Sequence, residues 1–77
     1  MGYVIVEFPE RREVFIGDDR QGYNRNENDE YRILIVGDGP HTFRLGGVLN
    51  YAPSSQTVVV ANTTTINPLR VIFKKNV

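Results

Sequence analysis

No window of this chain places apolar residues at the three-and-four spacing that buries one face of a helix. Short runs rich in Val, Ile, Phe, Tyr and Thr instead alternate with clusters of Gly, Pro, Asn and Asp, the pattern of an all-β chain. Six runs read as strands: Tyr3 to Phe8, Glu13 to Gly17, Tyr31 to Val36, His41 to Leu45, Gln56 to Ala61 and Leu69 to Lys74. A short extra strand near Tyr51 makes a seventh. Breakers end them: Pro9, "GDDRQG", "GDGP", Gly46-Gly47 and "NTTT". The 77 residues fit a single domain spanning 1–77. The expected fold is all-β, a six- or seven-stranded antiparallel β-sandwich of the immunoglobulin/prealbumin kind.

Period-two alternation assigns faces to the fourth and sixth strands. Phe43 and Leu45 oppose Thr42 and Arg44; Leu69, Val71 and Phe73 oppose Arg70, Ile72 and Lys74. The first, third and fifth strands differ, because "YVIV", "ILIV" and "VVV" are apolar on both faces. A two-layer fold buries one face of each sheet. The second faces therefore call for a loop or another surface to cover them, which points to self-association or contact with a partner. Of the longer connections, "YNRNENDE" (Tyr23 to Glu30) reads as a solvated, mobile loop, and "GGVLNYAPSS" (Gly46 to Ser55) as one folding partly back on the core through Val48, Leu49 and Tyr51.

The chain has no cysteine, so neither a disulfide nor a thiolate metal site contributes. Nine basic residues balance nine acidic ones, and a net charge of zero argues against a nucleic-acid partner. No apolar run is long enough for membrane insertion as a helix, and "MGYVIVEF" lacks the parts of a signal peptide. The expected location is the cytoplasm for a complete chain, or the cell envelope or outside for a fragment of a larger protein.

Chemistry-bearing residues are few. His41, the one histidine, lacks a serine in a nucleophile-presenting turn and reads as a strand residue leaving the Gly39-Pro40 turn. Asn24, Asn26 and Asn28 alternate like calcium-loop ligands, but Asp29 and Ile35 stand where that loop needs Gly and Glu. Asp18, Asp19 and Asp38 fall in turns that gather at one end of such a fold, without a metal-ligand spacing. The glycine turns lead into strands rather than helices, which removes a phosphate cradle. Asn62-Thr63-Thr64 has the form of a glycosylation acceptor and also of a hydrogen-bonded turn. Tyr23 and Tyr51, in the two long loops, are the expected exposed aromatic pair and the candidate ligand-binding residues, suited to stacking a sugar. No catalytic residue, metal ligand or cofactor site is assigned, and the chain is not read as an enzyme.

With these elements in order the chain resembles the PEGA domain, a small β-sandwich module of bacterial and archaeal proteins. Pro9-Glu10 matches the first half of that signature, with Arg11-Arg12 in place of its Gly-Ala. Val14-Phe15-Ile16 matches the following strand, and Gly17-Asp18 reverses the usual Asp-Gly. "ILIVGDGPHTFRL" is similar to the apolar strand, glycine turn and His-Thr strand, and "YAPSSQTVVV" and "PLRVIF" to the closing strands. The resemblance implies a non-catalytic module of envelope or signalling proteins that contacts protein or polysaccharide, with His41 in a structural position. The expected function is thus a structural or protein-interaction module, self-associating or part of a larger protein. A carbohydrate-binding module using Tyr23 and Tyr51 is the alternative.

Overall fold

The run Tyr3-Val4-Ile5-Val6 is apolar without interruption because it becomes a central strand with a neighbour on each side. The computed structural model describes residues 1–76, and β1 (Gly2–Glu7) lies between β4 (Leu34–Val36) and β8 (Leu69–Ile72) in a three-stranded sheet. A four-stranded sheet has the order β3-β2-β5-β7, formed by β2 (Glu13–Ile16), β3 (Asp19–Tyr23), β5 (Gly39–Leu45) and β7 (Gln56–Val60). β6 (Tyr51–Ala52) and β9 (Lys74–Lys75) form a small third pair.

All strand pairs are antiparallel except β1 with β8, which run parallel with Val4 opposite Leu69 and Val6 opposite Val71. That pair corrects the expectation of a wholly antiparallel fold. Nine strands stand among the described residues where six or seven are expected. The strand most clearly missed is β3, "DRQGY", hidden in a polar turn cluster. It forms because Gly17, at a φ of 60°, turns the chain so that Asp19 and Arg20 pair back onto Ile16 and Phe15. The expected strand from Tyr31 to Val36 is shorter, with Leu34–Val36 paired to β1 and Tyr31 making only an isolated bridge to Arg25.

Alternation holds where it is expected. Phe43, Leu45, Val71 and Phe73 are buried, and Val4, Val6 and Leu34 of one sheet meet Val14, Ile16, Phe43 and Val60 of the other in a common core. Phe8, Tyr51 and Phe73 close one end, the Tyr51 ring packing edge-on against Phe8 at 5.9 Å and Phe73 at 5.4 Å.

Polar side chains fix the loops at that same end. Asn24 is fully buried; its Oδ1 accepts from the Arg12 backbone N–H at 2.7 Å and its Nδ2 donates to the Glu10 carbonyl at 3.1 Å. The Arg12 guanidinium donates to the Gly46 and Val48 carbonyls and, at 2.9 Å, to Asn50 Oδ1, while facing the Phe8 and Tyr51 rings. Arg25 Nη2 donates to the Phe8 carbonyl at 2.9 Å and Nη1 to the Asp29 carbonyl at 2.9 Å, its plane 4.1 Å from the Tyr31 ring. Asn26 Oδ1 accepts from the Asn28 and Glu30 N–H groups, a side chain standing in for a backbone turn. These bonds replace the picture of a wholly solvated 23–30 loop: its tip is exposed, but Asn24 and Arg25 tie its root to Phe8, Glu10 and Arg12.

Candidate functional site

The two tyrosines part company. Tyr51 is 5 % exposed, which corrects the expectation of an exposed pair. Its hydroxyl donates to the Leu45 carbonyl at 2.8 Å and accepts from the Leu45 N–H at 3.2 Å. The ring therefore lies in the core with its polar tip satisfied, and no face is left for a sugar. Tyr23 ends β3 and is 38 % exposed, but the Arg11 guanidinium lies 3.9 Å from its ring centroid and covers one face. Val48 and Leu49 of the 46–55 loop remain exposed, so Tyr51 alone of the three returns to the core.

His41 is the third residue of β5. Its Nε2 donates to the Gly37 carbonyl at 2.7 Å, closing the turn between β4 and β5. The imidazole also packs edge-on to Phe43 at 6.4 Å. Thr63 Oγ1 accepts from the Tyr3 N–H at 2.7 Å and ties its loop to β1, while Thr64 Oγ1 accepts from the Asn67 N–H at 2.9 Å and holds a turn. Among the described residues no group of three His, Asp or Glu is placed to hold a metal ion, and no helix is long and apolar enough to cross a membrane.

Two surface features stand out. The first is the outer face of the β4-β1-β8 sheet. Val4 and Val6 point inward, so Tyr3, Ile5 and Glu7 point outward. The register sets Ile35 opposite Tyr3, Arg70 opposite Ile5 and Ile72 opposite Glu7. Ile5 is 8 % exposed yet lies outside the inner core, while Ile35 is 59 % and Ile72 52 % exposed. Ile33 shares the parity of Ile35 and is also exposed. The charges on this face cancel within the chain, Arg70 Nη1 meeting Glu7 Oε2 at 2.9 Å. Ile35, from the doubly apolar third expected strand, and Ile72, from the outward side of the sixth, thus flank the covered Ile5 as an aliphatic stripe on this face.

The second feature is a cleft of about 450 Å³ between β4 and the β3-β2-β5 side of the other sheet, its lining including Ile16, Asp19, Gln21, Ile35, Val36 and His41. At the opposite side Gln56 of β7 donates to the Ile72 carbonyl of β8, which laces those two edges together.

Away from both features, Lys75 Nζ contacts Glu10 Oε2 at 2.8 Å. That hydrogen bond, against a smaller opposing desolvation and reinforced by the charges of Lys75 and Arg12, holds the Glu10 carboxyl below the ordinary glutamate range. A carboxyl lowered on folding adds stability above its unfolded pKa and loses it as pH falls through the folded value. The carboxyl resonance of Glu10 is expected to titrate below the ordinary range and to move up toward it in Lys75→Ala. A midpoint that does not respond to Lys75→Ala contradicts the pairing.

No protein-family model, curated protein or solved structure matches this chain.

Proposed function

We propose that this chain is a non-catalytic structural and protein-interaction module that associates with a second copy of itself through the outer face of the β4-β1-β8 sheet. In this reading the two larger sheets form a β-sandwich of the immunoglobulin/prealbumin kind, similar to the PEGA domain. A core shared by residues of both sheets supports the sandwich; the parallel β1–β8 pair is a departure within it. The observation that carries the functional reading is the aliphatic stripe of Ile35 and Ile72 beside Ile5, on a face that alternation normally makes polar. Its charges are paired within the chain and the net charge is zero, so two such faces meet without repulsion. A non-catalytic role is supported by His41, whose Nε2 is taken up by a backbone carbonyl. The carbohydrate reading is left with Tyr23 alone, one face of which Arg11 covers.

Sedimentation equilibrium over a concentration series tests this. The weight-average mass is expected to rise with concentration. Ile72→Lys is expected to weaken the association by at least about tenfold, because it places a charge against a desolvated aliphatic contact. Folding is expected to change by less than about 0.5 kcal/mol, since Ile72 is half exposed. A constant monomer mass at every concentration rejects the proposal.

A further inference from the structure

The cleft beside β4 has a shape that the fold does not itself fill. β4 has β1 on one side only, so the backbone N–H and C=O groups of its other edge have no strand partner among the described residues. Across the cleft, Asp19 pairs with Ile16 in register and shares its inward face, and Gln21 follows at the same parity. No strand lies above this part of β3. What remains is a gap bordered by an open strand edge and floored by the inner face of the opposite sheet.

The chemistry of the gap is sided. Ile16 and Val36 supply aliphatic wall. Its one charged side chain is the Asp19 carboxylate, beside the Gln21 amide and the Thr42 hydroxyl. Asp18 and Asp19 are exposed and have no ion-pair partner among the described residues. An occupant must therefore bring backbone to pair with β4, aliphatic side chains for the walls, and a cation for Asp19.

We propose that this cleft binds an extended segment of a partner protein, added as a strand along the free edge of β4, with a Lys or Arg directed at Asp19 between aliphatic residues. Main-chain bonds to β4 supply affinity, and the alternate side chains entering the cleft supply selectivity. The segment completes a fourth strand over the four-stranded sheet. The proposal rests on the protein-interaction reading but uses a different surface, so the two fail separately.

The test is amide NMR of the full 15N-labelled chain titrated with a short synthetic peptide of alternating Thr and Val carrying one central Lys. Shifts are expected at Gln21, Val36 and His41. The Lys peptide is expected to bind about fivefold more tightly than its Glu counterpart, the range of one partly exposed charge contact. Asp19→Asn, a surface change, is expected to remove that preference. N-methylation of alternate peptide nitrogens is expected to abolish binding for the set facing β4 and to spare it for the other set. Absence of shifts at the cleft overturns the proposal, as do shifts confined to β7. Cleft shifts that appear on concentrating the chain without peptide overturn it in favour of a second copy as occupant. Concentration-dependent mass with no peptide shift overturns the cleft alone; loss of both overturns the interaction reading as well.

Discussion

Arg12→Ala is expected to lower the free energy of unfolding by about 3 kcal/mol, out of a total of about 4–12 kcal/mol for a chain of this size. The guanidinium holds the Gly46 and Val48 carbonyls and Asn50 Oδ1 together, and lies against Phe8 and Tyr51. Truncation leaves those acceptors without their donor and opens space over two rings. The loss is larger than for a surface ion pair because the side chain is only 13 % exposed, whereas its carboxylate neighbour Glu10 is 41 % exposed. Arg12→Lys is expected to recover less than half of it, since one ammonium cannot span acceptors that a planar fork reaches together. Urea unfolding measures both variants; a loss under about 1 kcal/mol for the alanine shows that the guanidinium is dispensable.

Tyr51→Ala is expected to cost about 4 kcal/mol, the range for removing a buried aromatic ring. The ring fills the junction between Phe8 and Phe73, and its hydroxyl serves both backbone groups of Leu45. Tyr51→Phe separates the two contributions. It keeps the packing and is expected to cost about 1–2 kcal/mol for the unsatisfied Leu45 groups. A tyrosine free in a loop behaves differently, with both changes within about 0.5 kcal/mol of neutral. Thermal unfolding followed by circular dichroism distinguishes the two cases.

Much of the fold is legible in the chain because its signals are local. The Pro9 stop and the turn clusters place six of the strands, and the alternation in "HTFRL" and "LRVIF" gives the buried faces of β5 and β8. β3 escapes because Arg20, Gln21 and Gly22 carry little strand preference of their own; hairpin pairing with β2 makes that segment extended. The parallel pairing of β1 with β8 escapes because their pattern of inward residues is the same for either direction. In the polar loop, composition reveals solubility but not the bonds by which Asn24 and Arg25 reach back to Glu10 and Phe8. Arg11 and Arg12, two adjacent charges that read as surface residues, anchor Tyr23 and the 46–50 loop. The Ile35 part of the aliphatic stripe was readable from the failed alternation in "ILIV"; Ile72 was not, because it sits on the outward side of a cleanly alternating strand. The cleft was not, since it joins residues 16–21 to residues 35–42, which no local pattern brings together.

Methyl NMR on a dilution series of the intact chain, with isoleucine labelled, locates the associating surface in one experiment. The methyl resonances of Ile33, Ile35 and Ile72 are expected to move with concentration, while that of Ile16, in the inner core, stays still. Stationary signals from the three exposed isoleucines, or movement confined to the Val48 and Leu49 loop in a parallel valine and leucine labelling, contradict the assignment of this sheet face as the contact surface.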